Sequence, residues 1–305
     1  MAKTKFSGTG VAIVTPFRKD GSVDFFSMRK LVEHLINGGV DYIVALGTTG
    51  ESVTLSNDEK IAVINFVVDE VDGRIPVVMG VGGNNTQDVV NNLKEVRDEN
   101  LAIDGVLSVT PYYNKPSQEG LCLHYREVAN ACDLPVILYN VPGRTGVNMT
   151  AETTLKLAGE VVNIAGIKEA SGNFNQINHI LRDKPEDFLV ISGDDPLTVP
   201  MISLGASGVI SVSANTFPQE FSLMVKYALS HKFDKAQLIQ NALLDMMDAH
   251  FVEGNPAGVK ASLCLKGIAE NNLRLPLRNV SEKTFKKMEA LMEELEGKRK
   301  NLPLD

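Results

Sequence analysis

The stretch "GVAIVTPFRKDGS", residues 10–22, decides the fold. Val11–Val14 is a short, β-branched apolar run that reads as a first strand, and Thr15-Pro16 ends it. A doubly wound dinucleotide-binding sheet would carry a G-x-G-x-x-G turn at this point. "IVTPFRKDGS" has none, and "GVGGNN" further on is not that pattern either. Working outward, similar runs recur: "DYIVALGTTGES", "IPVVMGVGG", "DGVLSVTPYYN", "LPVILYNVPGRTG", "IAGIKEAS", "FLVISGDD" and "SGVISVSAN". They are continuous rather than alternating in hydrophobicity, as parallel strands covered on both faces are. Between them, "DFFSMRKLVEHLING" and "NDEKIAVINFVVDEV" carry apolar residues at helical spacing. Ser56-x-x-Glu59 has the form of a capping box, Thr86 precedes another helix, and Gly38-Gly39 sits where the first long helix should stop. About eight strand–helix units end near residue 230. The expected fold is therefore an α/β chain, a (β/α)8 TIM barrel over residues 1–230. Residues 231–305 show helical spacing only and read as a C-terminal helical subdomain with a loose "KRKNLPLD" tail.

Bulk composition excludes several classes of function. The chain has 305 residues, 44% of them hydrophobic, and a net charge of −8, which disfavours a nucleic-acid partner needing a basic face. No apolar run approaches the ~18 residues of a membrane span, and "MAKTKFSGTG" has no apolar targeting core. Cys122, Cys132 and Cys264 fit neither a disulfide framework nor a metal site. The expectation is a reduced, cytoplasmic protein.

In a barrel, chemistry sits at the C-terminal ends of the strands. Nearly every run here ends in a small-polar or unusual cluster, among them Gly47-Thr48-Thr49-Gly50-Glu51, Tyr139-Asn140, Lys168-Glu169 and Ser192-Gly193-Asp194-Asp195. Lys168 stands out. A strand-end lysine ordinarily reaches solvent. Strand alternation, however, sets Lys168 opposite in facing to Ile167 and Glu169, and so toward the barrel interior. A dry interior disfavours an ammonium, and about 3 pK units, ~4 kcal/mol, separate an ordinary lysine from one neutral near pH 7. A neutral lysine amine attacks carbonyls, which points to a Schiff base.

Tyr139 offers a phenol for proton transfer beside it, although buried tyrosines are commonly plain core residues. "GTTGE" offers backbone N–H groups and two hydroxyls for a carboxylate, and Arg144 could fork a second one; either feature alone is a weak signal. Asp194-Asp195 suggests a metal pair, but no H-x-H or H-E-x-x-H accompanies it and the five histidines are scattered.

In order along the chain, "GTTGES", "TPYYNKP", "YNVPGRTG", "GIKEASG", "SGDD" and "GVISVSAN" resemble the dihydrodipicolinate synthases, within the N-acetylneuraminate lyase superfamily of class I aldolases. The resemblance runs essentially the whole length of the chain. It implies pyruvate held as an imine on Lys168 with no separate cofactor and no metal. Tyr139 would be the proton shuttle, with Thr49 and Tyr113 completing the relay and Tyr113 lent across a dimer contact. Thr48, Thr49, Gly193 and Ile210 would line the keto-acid site. Arg144 would hold the carboxylate of L-aspartate 4-semialdehyde, and the product would be 4-hydroxy-tetrahydrodipicolinate, on the route to diaminopimelate and lysine. A homotetramer built as a dimer of dimers, or a homodimer, is also implied.

Two departures bear on regulation. Lysine-inhibited members carry histidines where this chain has Asn57 and Lys60, and an acidic effector ligand is shortened to Asp88. Asn84, Asp88, Tyr112 and Lys60 remain as a candidate effector site. Two other readings stay open. One is a pyruvate-dependent lyase acting on N-acetylneuraminate or a 2-keto-3-deoxy sugar acid. The other is a non-catalytic ligand-binding barrel, which would need no nucleophile.

Overall fold

The computed structural model describes residues 5–99 and 101–304. Met1–Thr4, on which part of the targeting expectation rests, lie outside the described residues, as do Asn100 and Asp305. Eight parallel strands close into a barrel in chain order: β1 (Gly8–Ala12), β2 (Tyr42–Ala45), β3 (Val77–Gly80), β4 (Gly105–Val109), β5 (Val136–Asn140), β6 (Ile164–Glu169), β7 (Leu189–Ser192) and β8 (Gly208–Ser211). The doubly wound alternative is thereby excluded. β1 meets β8 at Gly8 opposite Gly208, which has φ +146. A Cβ on Gly208 would overlap the Gly8 backbone, so the seam that closes the barrel needs glycine there.

The strands read as unbroken apolar runs because they divide their side chains between two cores. Phe6, Tyr42, Val44, Val78, Leu107, Ile137, Tyr139, Ile191 and Ile210 fill the barrel interior. Ile43, Val106, Leu138, Ile167 and Val190 face the layer between barrel and helices. Both sets are almost fully buried.

The helical layer comprises α1 (Phe25–Asn37), α2 (Asn57–Val71), α3 (Thr86–Asp98), α4 (Gln118–Asn130), the short α5 (Pro142–Thr145), α6 (Ala151–Glu160), α7 (Phe174–Asp183), α8 (Thr198–Ser203) and α9 (Pro218–Leu229). The capping box of α2 is present in full: Glu59 N donates to Ser56 Oγ, and Ser56 N donates to Glu59 Oε2. α1 ends at Gly38, followed by Gly39 at φ +78. At α3 the expectation needs a correction. The cap is Asn85, whose side chain accepts from Gln87 N, and Thr86 is the first helical residue.

Three further helices follow, α10 (Phe233–Ala249), α11 (Ala257–Leu265) and α12 (Glu282–Lys298). The tail is not loose. Arg299–Asn301 forms a 3-10 turn, Arg299 pairs with Glu220 of α9 at 3.2 Å, and Leu302 and Leu304 pack on the core. Among the described residues, no helix is long and apolar enough to cross a membrane.

Candidate active site

Register fixes where Lys168 points. Its Cα partners are Tyr139 on β5 and Ile191 on β7, both interior residues. Its neighbour Ile167 pairs with Leu138 and Val190, both of the outer layer. Paired positions in a parallel sheet share a face, so Lys168 is committed to the interior, where it is 5% exposed. Its Nζ lies 4.4 Å from the centroid of the Tyr139 ring. Gly193 makes the room: a Cβ there would lie 3.1 Å from Lys168 Cε and 2.7 Å from Ala170 Cβ. Ile210 is buried in the same interior cluster.

The next strand position is built for rigidity. Glu169 is 1% exposed and faces away from the interior, without a cation in hydrogen-bond reach among the described residues. It accepts from Asn140 Nδ2 at 3.1 Å, Gln176 Nε2 at 3.0 Å and Ser171 N at 2.7 Å. Asn140 Oδ1 in turn accepts from Met149 N. This network clamps the ends of β5 and β6 together one residue beyond the Tyr139–Lys168 pair. The sequence quotes Glu169 beside the lysine but gives no sign of this role.

A cavity of about 530 Å³ opens over the strand ends. Leu107, Tyr139 and Val141 line it at the strand ends, and the exposed Thr48 and Arg144 stand on its wall nearer solvent. It extends between α2 and α3 past Lys60 and Glu95, with Tyr112 also on its lining. Tyr139 is the link, since it lines the cavity and also stands over Lys168. Lys60 and Tyr112 of the candidate effector set share this cavity; Asn84 and Asp88 do not line it. Asn84 instead offers its carbonyl to Asn114 Nδ2 at 2.8 Å, and Asp88 sits exposed in the first turn of α3.

The two threonines of "GTTGE" separate. Thr48–Gly50 forms a 3-10 turn. Thr48 is exposed on the cavity wall, whereas Thr49 is buried and its Oγ1 accepts from Asn255 Nδ2 at 2.9 Å. Glu51 closes the turn at φ 52, and its carboxylate is paired with Lys260 Nζ at 2.5 Å. Arg144 is exposed at the cavity mouth, its Nη2 3.5 Å from the Asn255 carbonyl oxygen. Tyr113 does not line the cavity; its N donates to the carbonyl of Thr145, next to Arg144, and it is 88% exposed at φ +73.

Asp195 is buried and accepts from Ser213 N at 2.7 Å and Val212 N at 3.2 Å, tying the end of β7 to the end of β8. Burial pushes its carboxyl above the usual range, against those hydrogen bonds and the charge of Lys168. Asp194 is raised as well, by burial and by Asp195 beside it. The pair is thus structural in its contacts.

A family model described as the dihydrodipicolinate synthetase family matches residues 5–295. The chain belongs to that family. It is 52% identical over 295 residues to the 4-hydroxy-tetrahydrodipicolinate synthase of Parabacteroides distasonis, covering 97% of this chain and 99% of that one. Two solved structures superpose closely. One is the dihydrodipicolinate synthase of Cyanidioschyzon merolae with lysine bound, at TM-score 0.92 and 40% identity, covering 95% of this chain and 98% of that one. The other is that of Acinetobacter baumannii complexed with pyruvate, at TM-score 0.92 and 40% identity, covering 95% of this chain and 99% of that one. The fold and the enzyme class expected from the sequence are those of the dihydrodipicolinate synthetase family.

Asn255 and Lys260 are further residues near the site whose contacts are not legible in the sequence. Asn255-Pro256 is a turn signal inside an otherwise helical stretch, and that was the available clue.

Proposed function

We propose that this chain condenses pyruvate with L-aspartate 4-semialdehyde to give 4-hydroxy-tetrahydrodipicolinate, in diaminopimelate and lysine biosynthesis. The observation that carries this reading is Lys168, buried inside the barrel against the Tyr139 ring, below a cavity that Tyr139 itself lines. The Lys168 amine attacks the pyruvate ketone and water leaves, giving an imine held by the enzyme without a separate cofactor. Loss of a methyl proton gives the enamine, whose carbon attacks the aldehyde of the second substrate. That substrate's amine then closes the ring on the imine carbon and frees Lys168.

Tyr139 is the group placed to move protons near the imine, because its ring is against Nζ while it also fronts the cavity. Thr48 is on the cavity wall with it and is the better placed of the two threonines to pass a proton on. Thr49, with its oxygen engaged by Asn255, is better suited to holding the keto-acid carboxylate alongside Gly193 and Ile210. Arg144 at the mouth is suited to the semialdehyde carboxylate. Tyr113, a large aromatic left exposed, fits insertion into a partner's site in a homodimer or a dimer of dimers. Residues 1–230 form the catalytic barrel in this reading and residues 231–305 its helical subdomain. Buried Cys122 and Cys132 are free thiols, in keeping with a reducing cytoplasm.

The test is a substrate comparison on the purified protein. Pyruvate should be consumed on addition of L-aspartate 4-semialdehyde, with no cleavage of N-acetylneuraminate. Cleavage of the sugar acid without reaction of the semialdehyde would overturn the assignment.

A further inference from the structure

Asn255 and Lys260 come from the segment after α10, yet both grip the turn after β2. Asn255 is 7% exposed, and its Nδ2 donates to Thr49 Oγ1 at 2.9 Å. Lys260, 1% exposed on α11, pairs with Glu51 and also donates to the Asn272 carbonyl at 2.9 Å. Arg274 N donates to the other Glu51 oxygen at 3.2 Å. Lys260 and Arg274 lie over the Phe17 ring, 4.1 Å and 4.5 Å from its centroid. The turn carrying Thr48, Thr49 and Glu51 is therefore fixed from the C-terminal side at Thr49 and at Glu51.

The polarity of the Thr49 contact matters most. A hydroxyl has one hydrogen to give and two lone pairs. With the Asn255 amide donating into one lone pair, the Thr49 hydrogen is left to be given to an acceptor. Among the described residues no acceptor takes that hydrogen, which leaves it for a bound group such as a keto-acid carboxylate. We propose that Asn255 is a positioning residue for the condensation: it orients the Thr49 hydroxyl as a donor to the pyruvate carboxylate. This rests on the function proposed above.

An aspartate at the same place has the shape of asparagine but only accepts when ionised. It would turn the Thr49 hydrogen toward itself and set a negative charge near the carboxylate site. The order of effects is then fixed in advance. Asn255→Ala should raise the KM for pyruvate about tenfold, and Asn255→Asp should raise it by a larger factor, about a hundredfold. Thr49→Val should match Asn255→Ala, and the double variant Asn255→Ala/Thr49→Val should be no worse than Thr49→Val alone, since both remove one interaction.

Steady-state kinetics on the full-length wild type and these variants, with borohydride trapping of the pyruvate imine run on each, makes the test. If the wild type traps no imine, the function proposed above fails. If it does trap, then an unchanged pyruvate KM in Asn255→Ala, an Asn255→Asp effect no larger than that of Asn255→Ala, or losses that multiply in the double variant overturn the role of Asn255. Should Asn255→Ala fail to fold, Thr49→Val carries the test, and an unchanged pyruvate KM there overturns it equally.

Discussion

Lys168 Nζ and the Tyr139 ring lie 4.4 Å apart because their Cα atoms are directly paired across β5 and β6. The relation is a property of backbone register. A slip of β6 by one residue would turn Lys168 into the outer layer and leave Tyr139 behind in the interior. The Glu169 carboxylate, held by Asn140, Gln176 and Ser171, guards against that slip from the adjacent position.

Tyr139→Phe keeps the ring that packs on Lys168 and removes only the hydroxyl. Thermal unfolding should stay close to wild type while kcat falls by roughly 10²–10⁴, the usual scale for a general acid–base group. A near wild-type kcat would reduce Tyr139 to a packing residue.

Arg144→Ala tests the second substrate. Arg144 is exposed at the cavity mouth whereas Lys168 is buried in the barrel interior, so the pyruvate imine should form normally. Condensation with the semialdehyde should weaken by roughly 2–4 kcal/mol, the scale for loss of a charged hydrogen-bonded contact. The check is single-turnover kinetics with preformed imine. Equal loss of imine formation would place the arginine's role at pyruvate instead.

The sequence conveyed the fold well for a physical reason. Strands buried on both faces leave unbroken β-branched runs, and α2 carries both its capping box and its helical period in local sequence. The same logic put Lys168 and Tyr139 at neighbouring strand ends. Thr48 and Thr49 are harder to tell apart, because a 3-10 turn has no two-residue alternation and they are separated by tertiary burial and by the contact with Asn255, 206 residues away. Lys260 was hidden differently. Residues Ala257 to Leu263 of α11 are all buried, so a lysine there looks like the polar face of a surface helix until Glu51 is seen against it. The packing of the tail is not legible in the sequence, since "KRKNLPLD" is polar in composition while its two leucines and Arg299 find partners only in the folded chain.

Part of the acid sensitivity should come from His250, alongside His124, whose pKa burial pulls down to about 4. His250 is fully buried between Ser213 Oγ and Ser262 Oγ, each 2.8 Å from a ring nitrogen, and burial pulls its pKa down to about 3. The unfolded chain regains an ordinary value near 6.5. Between these values the unfolded state binds the extra proton, so stability is complete above about 6.5 and is lost as pH falls toward 3. The slope due to this group approaches roughly 1.4 kcal/mol per pH unit. Urea unfolding between pH 4 and 6 should show it, and His250→Gln should flatten it. An unchanged slope in that variant would assign the acid sensitivity to other groups.

Lysine feedback should be weak. Lys60 lines the outer cavity, and a lysine effector brings its own ammonium groups. At an effective dielectric of ~20, two cations ~4 Å apart repel by about 4 kcal/mol, and 1.4 kcal/mol already costs a factor of ten in affinity. Initial rates should therefore fall little on titration with L-lysine. Half-inhibition at sub-millimolar lysine would mean that Lys60 turns aside and the charge argument fails.

The imine itself is the most direct test of the account. The protein is incubated with pyruvate, reduced with borohydride, digested and read by mass spectrometry. Lys168 should carry the mass of reduced pyruvate, and Lys168→Ala should carry no label. A label on a different lysine, or an unlabelled wild-type protein, would contradict the account.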